Sequence, residues 1–275
     1  MTQAHHRKRL IAGNWKMFKT PSETEAFIRA LSEKLHGMAQ PLSTWPEILV
    51  CPPFISLKLA WDTVDDTGKP ILIGAQTMDS HEDGAFTGEI SPKMLRSVCI
   101  RNVLVGHSER RQYFNETDET VSAKTRAALA NDIRPIVCVG ETLAEREAGQ
   151  TDTVLTRQVN TALNGVSAEE MAFLVVAYEP VWAIGTGKVC DAAEANRVCH
   201  LIRTLIAGLT NSPTADQVRI LYGGSVKPEN FPELLTQSDI DGGLVGGASL
   251  DVDSFYQLIS QAAYFSEGAI HGCRI

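Results

Sequence analysis

The chain has 275 residues, 44% of them hydrophobic and 21% charged, ordinary globular values with ample material for a large core. A formal net charge of −8 argues against a nucleic-acid or anionic-membrane partner, since both need a concentrated basic face, so any phosphate must be held locally. Cys51, Cys99, Cys138, Cys190, Cys199 and Cys273 form no CxxC pair and no metal-ligand spacing; they read as buried reduced thiols of a cytoplasmic protein, and no signal-peptide or membrane-spanning run follows the basic residues 5–9.

In chain order, short apolar runs recur at LIAGNW (10–15), EILVC (47–51), PILIGAQ (70–76), RNVLVGH (101–107), RPIVCVG (134–140), AFLVVAY (172–178), VRILYGG (218–224) and DGGLVGG (241–247). Their brevity and β-branched content predict buried strands. Amphipathic stretches between them carry helix-start chemistry. Ser22 with Glu25 and Asp191 with Glu194 match capping boxes, and Ser91 before Pro92 reads as an N-cap followed by a proline in the first helical position. Strand and helix alternating eight times predicts a closed (β/α)8 barrel of roughly 250 residues. The alternative, a doubly wound open sheet, lacks its G-x-G-x-x-G, and no linker divides the chain. The prediction is one domain over residues 1–275, with 1–9 and 266–275 peripheral.

The strand ends carry the candidate chemistry. GNWK places Asn14 and Lys16 after the first strand, where Lys16 is either a solvated loop residue or a fixed positive charge for an anion. GHSERR puts His107 after the fourth, either a satisfied loop histidine or a ring facing the barrel mouth. YEPVWAIGTGK, 178–188, delivers Glu179 at the end of the sixth strand and follows it with Val181, Trp182 and Ile184 as an apolar flap and Gly185 and Gly187 as backbone freedom. That is the layout of a base beneath a lid, although a Glu beside Pro is equally a solvated turn residue. Its GTGK is not a phosphate-binding P-loop, because Trp182 stands where the first Gly belongs and Val189 where Ser or Thr belongs. ILYGGSVKPEN and GGLVGGASL each set paired glycines before a helix start, which gives either an anion site or a pair of tight turns.

In the same order, AGNWKM, GAQ, GAFTGEIS, GHSERRQYFNETDET, CVGET, AYEPVWAIGTGK, LYGGSVKPEN and DGGLVGGASL closely resemble the stretches of the triosephosphate isomerase family over essentially all eight units. The resemblance implies interconversion of D-glyceraldehyde 3-phosphate and dihydroxyacetone phosphate, in glycolysis and gluconeogenesis, through an enediolate and without cofactor or metal. It implies Glu179 as base, His107 as electrophile, Asn14 and Lys16 as substrate contacts, and Gly185, Ser225, Gly246 and Gly247 as phosphate holders. Glu109 would be either a partner for Lys16 or a surface carboxylate. DGAFTGEIS, 83–91, resembles the protruding loop of a homodimer, with Gln76 and Thr87 near the partner's pocket. Thr77 and Phe18 depart from the family's usual residues outside the chemical positions, and PLSTWP (41–46) and the two termini are extra length. An isomerase of a four-carbon ketose phosphate and a catalytically silent barrel with a binding role are the alternatives; the silent barrel would be expected to lack one of Lys16, His107 or Glu179, and all are present.

Overall fold

The computed structural model describes residues 7–184 and 190–271. Among them are eight strands: β1 (Leu10–Asn14), β2 (Glu47–Cys51), β3 (Ile71–Ile73), β4 (Asn102–Val105), β5 (Arg134–Val139), β6 (Val175–Tyr178), β7 (Arg219–Tyr222) and β8 (Gly242–Val245). They run parallel in the order β3-β2-β1-β8-β7-β6-β5-β4. The two ends of that order meet. Ala75, just past β3, donates its amide to Asn102 O at 2.8 Å and accepts that of Leu104 at 2.9 Å, so the sheet closes into the expected (β/α)8 barrel.

Strand alternation divides the core in two. Leu10, Ala12, Leu49, Cys51, Leu104, Ile136, Cys138, Val175, Ala177, Leu221 and Leu244 fill the lumen, while their neighbours in sequence, such as Ile11, Ile48, Val103, Val137 and Val176, pack outward against the helices. Parity alone therefore carries Asn14, after Leu10 and Ala12, and Glu179, after Val175 and Ala177, to the lumen side at the C-terminal ends of β1 and β6. At the other end, the first residues of β2, β5 and β7 form a charged foot. Glu47 Oε2 accepts from Arg134 Nη1 at 2.7 Å and lies 2.8 Å from Arg219 Nη1, and Arg134 Nε donates to Asn102 Oδ1 at 2.9 Å.

Local chemistry departs from expectation in four places. The first helix, Pro21–His36, is capped by Thr20 with Glu23 closing the box, two positions earlier than Ser22 with Glu25. Pro21 decides this: its fixed φ and missing N–H suit the first helical position, so the residue before it becomes the cap, and Glu25 pairs with Arg29 at 3.0 Å. Asp191 caps the helix Ala192–Leu209 through Glu194 N at 2.8 Å, but the Glu194 carboxylate turns to Arg146 and Arg197. Ser91 caps Pro92–Ser97 as expected. Ala172 and Phe173 end a helix started by the Ser167–Glu170 capping box instead of opening β6. Of the described cysteines, Cys99 is exposed, at a positive φ of 64° in the turn after Pro92–Ser97, and Cys51, Cys138, Cys190 and Cys199 are buried.

The extra segments are tied in. Arg7 Nε meets Asp241 Oδ1 at 2.6 Å, Arg9 Nη1 donates to Ser266 Oγ at 2.9 Å, and Trp45 of the PLSTWP stretch is buried with its Nε1 on Gln40 O at 2.8 Å. No described helix is long and apolar enough to cross a membrane.

Candidate active site

The loops at the C-terminal ends of the strands enclose a cavity of about 470 Å³, lined among others by Asn14, Lys16, His107, Glu179, Ile184, Ser225, Gly246 and Gly247. Seven of the eight positions singled out from the sequence thus converge. The eighth, Gly185, lies outside the described residues, as do Thr186, Gly187 and Lys188.

Lys16 is held in a conformation that side chains seldom adopt, φ 52°. Three bonds fix it. Its amide donates to Asn14 Oδ1 at 3.0 Å, and Gln76 Nε2 donates both to its carbonyl at 2.8 Å and to Cys51 O at 2.9 Å. Trp15, fully buried, anchors the turn through Nε1 to Ser249 O at 3.0 Å. The Lys16 ammonium reaches Glu109 Oε1 at 2.5 Å, which settles Glu109 as its partner. The same ammonium stands 4.0 Å from where a Cβ on Gly246 would be, beside the glycine pair after β8.

His107 should not face the lumen by strand parity, because Leu104 points in and Val105 out. Gly106 corrects the phase with a φ of 75°, a region glycine enters freely, and a Cβ there would also strike Val121 Cγ2 at 2.8 Å. His107 then caps the short helix Ser108–Tyr113, its Nδ1 accepting from the Glu109 amide at 3.2 Å. An amide only donates, so Nδ1 is the bare nitrogen and the proton of the neutral ring sits on Nε2. Nε2 lies 3.0 Å from Glu179 Oε1, and the Ser108 amide donates to Glu179 Oε2 at 3.0 Å.

Both groups are deeply buried, His107 at 6% and Glu179 at 2% exposure. Burial works against the Glu179 charge, yet His107, the Ser108 amide and Lys16 outweigh it and hold the carboxyl below its ordinary range. For His107, burial disfavours the imidazolium, but Glu179 at contact distance raises it above its ordinary value. Two glycines make room for Glu179, Gly140 for its backbone carbonyl and Gly223 for its side chain. A Cβ on Gly140 would stand 1.7 Å from Glu179 O, and one on Gly223 would stand 3.0 Å from Glu179 Cγ.

The family model described as Triosephosphate isomerase matches residues 9–262. Proteins named Triosephosphate isomerase from Carboxydothermus hydrogenoformans and Dictyoglomus turgidum are 50% and 47% identical to this chain over 253 residues, covering 92% of it and 98% and 99% of themselves. That of Roseiflexus castenholzii is 49% identical over 253 residues, covering 92% of this chain and 97% of itself. The chain belongs to the triosephosphate isomerase family.

Within this triosephosphate isomerase fold, the flap after Glu179 is arranged differently from the sequence expectation. Ile184 lines the cavity, but Trp182 turns away from it. Its Nε1 donates to Glu141 Oε1 at 2.8 Å, and the Arg146 guanidinium lies 4.2 Å over its ring. Glu141 is fully buried, also accepts from Tyr178 OH at 3.2 Å, and lies 3.5 Å from Arg146. Sequence reasoning missed Glu141 as a site element, although a carboxylate directly after the apolar RPIVCVG run was the available signal. It also gave Gln76 a place only beside a partner's pocket, whereas here it braces Lys16 of its own chain.

Proposed function

We propose that Glu179 is the base and His107 the electrophile of the isomerisation for which this family is named. The chain is an aldose–ketose isomerase that interconverts D-glyceraldehyde 3-phosphate and dihydroxyacetone phosphate, a glycolytic step. The observation that carries the residue roles is the Glu179–His107 contact at 3.0 Å, with the ring proton on Nε2.

Substrate entering between the two groups displaces that contact. Glu179 then takes the carbon-bound proton, the C–H pair becomes the enediolate double bond, and the carbonyl π pair moves onto oxygen, where the Nε2–H of His107 donates. His107 gives its Nε2 proton to that oxygen and takes the hydroxyl proton from the neighbouring one; returning the Glu179 proton to the second carbon then forms a carbonyl at the first and completes the reaction. With Glu179 turned to substrate, its upward pull on the ring is relieved, while burial and the Glu109 amide on Nδ1 remain; both favour neutral imidazole. A neutral imidazole electrophile beside a carboxylate base is the standard pattern of tuned acid–base chemistry in this enzyme class. Lys16 offsets charge growing on oxygen, and Asn14 holds the Lys16 turn. The phosphate is assigned to Ser225, Gly246 and Gly247; a Cβ on Gly247 would meet nothing within 4 Å, so the backbone there is open to a ligand.

The whole chain is read as one barrel domain acting in the cytoplasm as a homodimer. Met17, Phe18, Ile55, Phe86, Tyr113 and Phe114 are exposed large hydrophobics, which favours their burial against a second copy. Phe86 sits on the loop closed at its base by Asp79 N to Ile90 O at 2.8 Å, stacked on His81 with ring centroids 4.1 Å apart.

A coupled assay comparing glyceraldehyde 3-phosphate with erythrulose phosphates tests substrate choice. Turnover of the triose far above the tetrose is expected; the reverse order would transfer the chain's activity to the four-carbon ketose.

A further inference from the structure

The ladder between β5 and β6 ends at Val139 and Tyr178, with the Glu179 amide on Val139 O at 2.7 Å. Beyond it, the Glu179 carbonyl rests against the Cα of Gly140, where no side chain fits. The next residue, Glu141, accepts the Val181 amide at 3.2 Å and holds Tyr178 and Trp182 through its carboxylate. Residues 140 and 141 are therefore the wall along which the catalytic segment runs. Gly140 has left the ladder and needs other partners for its N–H and C=O.

One side chain supplies both. Gln158, on the helix Thr151–Leu163 and only 5% exposed, accepts from Gly140 N at 2.8 Å through Oε1 and donates to Gly140 O at 3.1 Å through Nε2. Its carboxamide replaces a neighbouring strand at the point where the barrel wall ends. We propose that Gln158 is a positioning residue for Glu179, transmitting the rigid helix layer to the base through the Gly140 backbone; this rests on the reading of Glu179 as the base. A glutamine is chemically suited to that role, because it offers one acceptor and one donor at the spacing of a residue's own N–H and C=O, without a charge that would compete with the carboxylate.

The role is separable from stability. Gln158→Met keeps the length of the side chain and removes both bonds, leaving the Gly140 amide and carbonyl to find other partners by moving. Displacement of the base by a fraction of an ångström should lower kcat by at least about tenfold, with KM and the inhibition constant of inorganic phosphate within about twofold of the parent, because the proposed anion seat belongs to β7 and β8. Gln158→Asn, one methylene too short to reach both atoms, keeps a polar group for the amide; it should show a smaller loss in kcat alone, and it decides the matter should the Met variant not fold. Leu155→Ala, on the same helix and fully buried, is the control, since it loosens the helix without touching Gly140. The proposal is overturned if a folded Gln158 variant keeps kcat within about twofold of the parent, or if Leu155→Ala loses kcat equally at the same drop in melting temperature. Glu179→Gln assayed beside them separates the two claims: parental activity there removes the base itself, whereas an inactive Glu179→Gln with a fully active Gln158→Met removes only the positioning role.

Discussion

Replacing Gly223 with alanine probes how closely the base is placed. The added methyl would lie 3.0 Å from Glu179 Cγ and 3.2 Å from Tyr178 O, and the position has no positive φ to add backbone strain. Carbon atoms in ordinary contact sit about 3.5–4.0 Å apart, so one or both neighbours must yield by roughly 0.5–1 Å. Tyr178 O cannot yield easily, because it accepts the Gly223 amide at 2.7 Å inside the barrel wall. The Glu179 side chain is the movable partner. A misplacement of this order costs about 10- to 100-fold in turnover, which corresponds to about 1.4–2.7 kcal/mol of transition-state stabilisation. Steady-state kinetics in both directions, with phosphate as a competitive inhibitor, should show the loss in kcat and leave the phosphate inhibition constant within about twofold. A folded Gly223→Ala enzyme with parental kcat would refute the placement of the carboxylate over this glycine.

Gly247→Ala should give the opposite split, weakening phosphate inhibition and raising KM more than it lowers kcat, as measured in the same assay, because its methyl would enter the open seat assigned to the anion. In the ligand-free protein the His107 ring, followed by nitrogen NMR, should titrate above the ordinary histidine value, and in Glu179→Gln it should fall below it, since burial then acts without the opposing carboxylate. Glu47→Gln at the barrel foot should lower stability by about 2–3 kcal/mol, discounted for partial exposure from the cost of breaking a buried pair, with kcat unchanged. Burial opposes the Glu47 charge but Arg134 and Arg219 hold its carboxyl below its ordinary range, so the parent's advantage is complete above that range and disappears as the pH falls through the depressed folded value; urea unfolding against pH checks this. Phe86→Asp should weaken self-association in sedimentation and reduce activity on dilution, whereas an unchanged sedimentation profile would remove that loop from any interface.

Much of the site was legible because its residues stand where apolar runs end. From the sequence, Asn14 and Glu179 read as residues at the ends of such runs; the lumen face of a strand repeats every second residue, and the lumen positions of Leu10, Ala12, Val175 and Ala177 supply the physical reason that both point inward. His107 was legible only as a strand-end residue, since its inward turn depends on Gly106, and a glycine's φ is not written in the sequence. The capping boxes near residue 22 and at 194 were misjudged for two reasons. A proline moved one start to Thr20, and long arginines from other elements drew the Glu194 carboxylate away. Trp182 was read as a cover for the cavity from its apolarity alone. Its indole N–H instead finds a buried carboxylate about 40 residues earlier, a pairing that local pattern cannot reveal. Gln158 was invisible for the same reason: a glutamine on the buried face of an amphipathic helix carries no local mark of the glycine it holds.

The most direct test follows the carbon-bound proton itself. Dihydroxyacetone phosphate incubated in deuterium oxide with the parent enzyme and with Glu179→Gln, and monitored by proton NMR, reports both exchange at the reacting carbon and conversion to the aldose. With Glu179 as the base, the parent incorporates solvent deuterium while it isomerises, and a folded Glu179→Gln enzyme loses both rates together by at least about 10²-fold. A folded Glu179→Gln enzyme that exchanges and isomerises at the parental rate would contradict that assignment.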